Sequence, residues 1–149
     1  MIFVDTNIFT RLFVKDDAGQ HEQAKELFTL AQEGKVKLLT GYPVFFELAW
    51  VLNYTYKVPN SEILDRLESI LSFSGLKVYD RDFIADAISL ARATNGSFAD
   101  SYIVASLQRL QAKEVATFDK KHFSKLGAAL YQFNTVQNAD NLTRRECAR

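Results

Sequence analysis

Four acidic residues occupy positions where a solvated surface charge is not expected. Asp5 and Asp119 are the first charged residues after the apolar runs IFV and VATF, and Glu47 and Asp100 lie inside the apolar stretches PVFFELAWVL and SFADSYIVASL. Clustered carboxylates repel one another unless cations hold them. If these four side chains meet, divalent cations must hold the cluster.

Helical spacing gives Glu47 and Asp100 apolar neighbours one turn away. The apolar neighbours of Glu47 are Val44, Leu48 and Val51. Those of Asp100 are Ile103, Val104 and Leu107. Residues three and four apart share one face of a helix, so we expect both acids on buried stripes. A buried carboxylate must be protonated, paired with a cation or bound to a metal.

Plainer roles are open for each acid. Asp5 and Asp119 could cap the helices that follow them, and Asp100 could be stabilised by the dipole near the start of its helix. Glu47 could form an ion pair with an arginine. The candidates are Arg11, Arg92 and Arg109.

The ligand chemistry available to a metal is almost entirely oxygen. The chain has a single cysteine, Cys147, and two histidines. One cysteine excludes an intramolecular disulfide framework, a multi-cysteine zinc site and an iron–sulfur cluster. Oxygen ligands favour Mg²⁺ or Mn²⁺ over zinc or copper.

These acids need elements to position them, and strands alternate with helices along the sequence. We predict strands over 2–4, 36–40, 76–79, 114–118 and 130–135, with helices between them. This order is typical of an α/β domain with a mostly parallel sheet, which binds ligands at the carboxyl edge of its strands. We expect one domain over 1–136 and a polar tail over 137–149 whose composition is typical of disordered segments.

Composition excludes several classes of protein. The 149 residues are 48% hydrophobic and 24% charged, with a net charge of zero. This composition is typical of a globular domain. Because the net charge is zero, the protein has no overall positive potential to attract a polyanion, which must be held by a local basic patch or by metal ions. With no signal peptide and no apolar run of about 18 residues, we expect a cytoplasmic protein that does not span a membrane.

The surroundings of the four acids resemble the PIN-domain nuclease family, in particular the VapC-type toxins of prokaryotic toxin–antitoxin pairs. The resemblance rests on four segments, MIFVDTNIF, FELAWVL, FADSYIVASL and VATFDKKHF, in this order within residues 1–134. It implies a three-layer α/β/α sandwich around a mostly parallel sheet of four or five strands. It also implies a metal-dependent endoribonuclease that forms a homodimer and is inhibited by a cognate antitoxin.

The resemblance assigns the catalytic and metal-binding acids to Asp5, Glu47, Asp100 and Asp119. We expect Asp5 and Asp100 to be the main ligands of Mg²⁺ or Mn²⁺, and Asp119 to complete the site directly or through water. Glu47 would bind a second metal or orient the attacking water. The cation would lower the pKa of a bound water, and the resulting hydroxide would attack the phosphodiester phosphorus.

Supporting positions follow from the same resemblance. Asn7 would orient Asp5, and Thr117 would donate a hydrogen bond behind the ligands. Ser97 stands where some family members carry a further acid. Local cations could contact RNA phosphates. These cations are Arg11, Lys15, Lys120 and Lys121.

Other functions remain open. Asp5 could be the nucleophile of a haloacid-dehalogenase-like phosphatase, although Asn7 stands where such enzymes have a second acid. The chain could also be a PIN nuclease of housekeeping RNA processing, or a PIN-like binding module without turnover. The aromatic helix that carries Trp50 and Tyr54 is either packed on both sides within the domain or provides a groove or dimer face for partner residues.

Overall fold

A computed structural model describes residues 1–133, in which a small parallel sheet is surrounded by helices. The strands are β1 (Ile2–Phe3), β2 (Leu38–Thr40) and β3 (Leu76–Val78), in the order β1-β2-β3. Ile2 and Phe3 pair with Leu38 and Leu39, and β2 continues onto β3 in the same parallel sense. The α/β class and the parallel sheet are therefore confirmed.

Seven helices lie within the described residues. They are α1 (Thr6–Phe13), α2 (Ala18–Gln32), α3 (Tyr42–Tyr54), α4 (Asn60–Ser72), α5 (Arg81–Thr94), α6 (Phe98–Arg109) and α7 (Lys120–Lys125). Local chemistry explains several of their starts. The Asp17 side chain accepts the Gln20 N–H at the start of α2, and Pro43 lies in the first turn of α3, where its missing N–H costs nothing. None of the helices within residues 1–133 is long and apolar enough to cross a membrane.

The predicted strand number is wrong for the described part of the chain, where the sheet has three strands rather than four or five. Residues 114–118 and 130–133 contribute only an isolated parallel bridge between Val115 and Leu130. Val115 is the one buried residue of its segment, and Phe118 is 91% exposed. The segment thus has no apolar face to hold it against the sheet. The end of the last predicted strand and the predicted tail lie outside the described residues.

The core fixes the chain on both sides of Asp5. Val4 is 1% exposed, and its N–H donates to the carbonyl of Leu39 at 2.8 Å. The Thr40 hydroxyl donates to the carbonyl of Val4 at 3.1 Å. Phe9, one turn into α1, is also 1% exposed. Asp5 therefore lies between two anchored residues, at the carboxyl edge of the sheet.

Candidate active site

Asp5 occupies the N-cap position of α1 without acting as a cap. Its backbone is extended, with φ −85° and ψ 164°, but its side chain accepts no capping hydrogen bond. The residue is exposed, and its carboxylate makes no hydrogen bond or ion pair within residues 1–133. The helix-capping alternative is therefore not realised at Asp5, and its oxygens remain open to a ligand.

Glu47 is held at the start of α1 by Thr6, the residue that follows Asp5. The Thr6 hydroxyl donates a 2.6 Å hydrogen bond to Glu47 Oε2, and Thr6 itself is only 5% exposed. This bond joins the start of α1 to α3 across 41 residues of sequence. The expectation that Glu47 is buried is wrong, because the residue is exposed while its helix buries Val44, Phe45 and Leu48.

The ion-pair alternative for Glu47 is also not realised. Each candidate arginine contacts other acids on the surface. Arg11 pairs with Asp16, Arg92 with Asp65 and Glu68, and Arg109 with Asp86, all at 2.7 Å. Among the described residues, the protein donor to the Glu47 carboxylate is thus a neutral hydroxyl. Within residues 1–133, no guanidinium pairs with the Glu47 carboxylate.

Asp100 lies in the first turn of α6 and is oriented by Ser97. The Ser97 hydroxyl accepts from the Asp100 N–H at 3.1 Å and contacts Asp100 Oδ2 at 2.9 Å. Ser97 is therefore the N-cap of this helix, in the place where some family members carry an acid. The helix-dipole role is open to Asp100, because the residue lies close to the positive end of α6.

The predicted buried stripe of Asp100 is wrong. Asp100 is half-buried, and Ile103, one turn further along, is 44% exposed. The buried residues of α6 are Phe98, Ser101 and Ser106. The face that carries Phe98 packs on α3, so residues 103 and 107 point elsewhere. Sequence periodicity indicated the face of Ile103 and Leu107, whereas packing buries Phe98 and two serines.

Asp119 belongs to a local network at the start of α7. Its Oδ1 accepts the His122 N–H at 3.2 Å, and its Oδ2 lies 2.6 Å from His122 Nδ1. The hydrogen bond from the His122 side chain lowers the pKa of the Asp119 carboxyl below its usual value. The Thr117 hydroxyl accepts the Asp119 N–H at 3.0 Å. The capping role is therefore realised at Asp119.

The elements that carry the first three acids pack against one another. Thr6 and Glu47 join α1 to α3, and Phe46 contacts Phe98 and Tyr102 of α6, with ring centres 5.3 and 5.0 Å apart. No hydrogen bond or ion pair within residues 1–133 links Asp119 to these elements. Over the same range, no group of three or more Asp, Glu, His or Cys side chains is arranged to hold a metal ion.

The donors nevertheless suit a hard divalent cation in their chemistry. All four are carboxylates, and both Asp5, at the start of α1, and Glu47, in the second turn of α3, are exposed. Neither the two carboxylate oxygens of Asp5 nor the Oδ1 of Asp100 have a protein donor among the described residues. Magnesium and manganese prefer such oxygen ligands and retain several waters, so a few carboxylates suffice.

The predicted supporting residues differ in their surroundings. Asn7 is exposed, and its side chain makes no hydrogen bond to Asp5. Arg11 is engaged by Asp16, Gln20 and Tyr56. The three lysines proposed for RNA phosphates are exposed. They are Lys15, Lys120 and Lys121.

Comparison with known proteins identifies the family. The model of the PIN domain matches residues 2–129. The chain belongs to the PIN domain family. A curated relative, the VapC ribonuclease of Aquifex aeolicus (strain VF5), is 30% identical over 128 residues, which cover 85% of this chain and 93% of that relative. The family predicted from the four sequence segments is thus confirmed.

Two residues of the site were missed by reasoning from the sequence. Neither Thr6 nor His122 is among the residues assigned from the sequence, yet Thr6 contacts Glu47 and His122 contacts Asp119. The signal for His122 is its spacing of three residues from Asp119. The partner of Thr6 is 41 residues away, so no local pattern indicates the contact.

Proposed function

We propose that this PIN domain is a metal-dependent endoribonuclease that hydrolyses RNA phosphodiester bonds, and that it is the toxin of a toxin–antitoxin pair. The observation that carries the proposal is the exposed, unbonded carboxylate of Asp5 beside the Thr6–Glu47 contact. The family and the VapC ribonuclease relative support the same activity.

In this proposal, Asp5, Glu47, Asp100 and Asp119 hold one or two Mg²⁺ or Mn²⁺ ions. A bound cation would lower the pKa of a water molecule and offset the negative charge of the phosphate. Glu47, oriented by the Thr6 hydroxyl, aligns the attacking water and accepts its proton at a carboxylate oxygen. Ser97 fixes the Asp100 carboxylate by its hydrogen bond to Oδ2.

The other assigned residues support these four. Thr117 positions the segment of Asp119, because its hydroxyl accepts the Asp119 N–H. Phosphates of the RNA are contacted by a few local cations rather than by a basic face, because the net charge is zero. These cations are Arg11, Lys15, Lys120 and Lys121. RNA binding should therefore weaken only modestly with salt.

Cleavage of total RNA tests the activity. The native chain should cut RNA with Mg²⁺ or Mn²⁺ and not with a chelator, and Asp100→Asn should lose most of that cleavage. A non-catalytic RNA-binding module is the second candidate, favoured by the local bonding of Asp100 and Asp119. It would shift RNA mobility in the presence of metal and leave the strands intact, which would overturn the proposed activity.

The proposed partners are a cognate antitoxin protein, the RNA substrate and a second copy of the chain, in the cytoplasm. Expression of a toxin should arrest growth, and co-expression of its antitoxin should restore it. A housekeeping PIN nuclease would be tolerated without a partner protein. Sedimentation of the purified chain tests the homodimer.

A further inference from the structure

An exposed aromatic pair continues the helix face of Glu47. Trp50 and Tyr54 are 59% and 63% exposed, and their rings stack with centres 5.2 Å apart and planes inclined by 12°. They follow Glu47 by three and seven residues, so all three lie on one side of α3. The ammonium of Lys57 lies 5.2 Å from the centre of the Tyr54 ring. An aromatic ladder with a cation at its end thus begins at a proposed catalytic carboxylate.

A cavity of about 220 Å³ opens beside Trp50, between α3, α4 and the start of α6. Phe46 and Phe98 give it aromatic walls, and Asn53, Asn60 and Ser97 give it polar groups. The Asn60 side chain is fixed by a 2.9 Å hydrogen bond from its Nδ2 to the carbonyl of Gly96. The Asn53 carboxamide has no hydrogen-bond partner among the described residues.

The cavity is connected to the candidate active site by Ser97. This residue lines the cavity, and its hydroxyl contacts Asp100 Oδ2 at 2.9 Å. Trp50, which also lines the cavity, is one helical turn from Glu47. A group bound in the cavity would therefore lie next to two of the four proposed acidic positions.

Size and chemistry select the kind of group that fits. Pockets for whole drug-sized ligands enclose about 300–1,000 Å³, so this cavity suits one planar ring system rather than a complete nucleotide. Aromatic side chains stack on unpaired bases, and carboxamides form hydrogen bonds with base edges. An apolar side chain of a partner protein would make no hydrogen bond with the exposed Asn53 carboxamide, whereas a base edge can.

We propose that this cavity binds one unpaired base of the RNA strand, stacked on Trp50 and read by Asn53, beside the phosphate that is cleaved. The ammonium of Lys57 is placed for a phosphate further along the same strand. That this RNA strand is the substrate rests on the proposed function. The consequence is selectivity for single-stranded RNA, because a base held in a duplex cannot enter.

The fluorescence of Trp50 tests this binding directly, because it is the one tryptophan of the chain. The native protein is titrated in EDTA, which prevents cleavage, with an unstructured RNA of ten nucleotides, the same RNA as a duplex, and an abasic ribose-phosphate oligomer of equal length. We expect quenching by the unpaired RNA alone. Absence of quenching, or equal quenching by all three probes, would overturn the proposal.

Two variants assign the contact to the cavity. Asn53→Ala should weaken quenching by the unpaired RNA about tenfold, whereas Gln32→Ala, an exposed carboxamide on α2, should leave it unchanged. Trp50→Ala should weaken binding of labelled RNA about 10- to 100-fold by anisotropy, because stacking on one base is lost. Equal affinities for Trp50→Ala and the native chain would contradict the proposal.

Separate measurements distinguish this proposal from its alternatives. If Trp50→Ala changes the sedimentation of the chain and leaves RNA affinity intact, the aromatic pair is a contact between copies and the base site is refuted. Cleavage with Mg²⁺ is measured on the same native sample. Cleavage without quenching would overturn the base site alone, whereas quenching without cleavage would support it and refute the proposed nuclease.

Discussion

Asp5 and Asp119 share one sequence signature and have different surroundings in the structure. Each follows an apolar run and occupies the N-cap position of a helix. Asp119 caps α7 and binds the His122 side chain, whereas the Asp5 carboxylate contacts no donor among the described residues. A capping bond stabilises a helix by about 1 kcal/mol. The difference teaches that Asp5 forgoes this stabilisation and keeps its oxygens available.

The surroundings explain the contrast. The chain at Asp5 is anchored by Val4 in the sheet and by Phe9 in the core, so α1 is held without a cap. The chain at Asp119 follows Phe118, which is 91% exposed, and starts a helix of six residues. Such a short helix depends on its cap, because nucleation is costly and packing is limited.

The largest expected effect is that of Asp5→Asn. Loss of a proposed metal ligand should reduce RNA cleavage at least about a hundredfold. Stability should change by less than about 0.5 kcal/mol, because the carboxylate is exposed and unbonded. Cleavage assays and urea unfolding measure the two quantities, with Glu26→Gln on α2 as the control. If folded Asp5→Asn cleaves RNA at the native rate, the unbonded carboxylate of Asp5 has no catalytic role that distinguishes it from Asp119.

The next effect concerns the hydrogen bond that joins Glu47 to Thr6, the residue after Asp5. Thr6→Val removes the 2.6 Å donor without changing the size of the side chain, and should reduce kcat about 10- to 100-fold. Thr6→Ser keeps the hydroxyl and should retain most of the activity. Single-turnover cleavage by both variants checks this. Equal rates for Thr6→Val and Thr6→Ser would show that the contact plays no part in positioning.

Ser97→Ala should have a moderate effect on stability. Loss of the cap of α6 should lower the free energy of unfolding by about 1 kcal/mol. Ser97→Thr keeps a capping hydroxyl and serves as the matched control in urea unfolding. If Ser97→Ala unfolds at the native midpoint, the hydroxyl does not stabilise the helix that carries Asp100.

The smallest effect is a pH dependence at the C-terminal end of α1, where Arg11, Asp16 and Tyr56 meet. The Tyr56 hydroxyl, with Arg11, lowers the pKa of the Asp16 carboxyl from its ordinary value of 3.8. Because the folded-state pKa is depressed, this carboxyl stabilises the fold above about pH 3.8 and loses its effect as the pH falls through the lowered value.

Tyr56→Phe removes the main cause of that shift. The loss of stability on going from neutral pH to about pH 2 should therefore be shallower in this variant than in the native chain. Urea unfolding at both pH values checks the difference. Identical pH profiles would show that the contact among Arg11, Asp16 and Tyr56 does not fasten this end of α1.

Much of the fold was predictable because it depends on local signals. The strands near residues 2, 38 and 76 form where they were predicted, and helices lie between them as the alternation indicated. The strand predicted over 114–118 does not form, because an apolar run does not reveal whether a partner edge will cover it. Glu47 illustrates the same limit, since a stripe of apolar residues cannot show which face the core buries.

The candidate site was predictable as a set of residue types rather than as a set of contacts. The order of Asp5, Glu47, Asp100 and Asp119 indicated the family, which the PIN domain match confirms. The sequence could not show that Asp119 would bind His122 or that Asp5 would remain unbonded. Those outcomes depend on packing across distant parts of the chain.

Calorimetric titration with Mn²⁺ tests the central claim most directly, because it asks whether carboxylates from distant segments act on one ion. The account predicts that the native chain binds Mn²⁺ and that Asp5→Asn and Asp119→Asn each lose at least about tenfold in affinity. Native affinity in both variants, or no Mn²⁺ binding by the native chain, would contradict it.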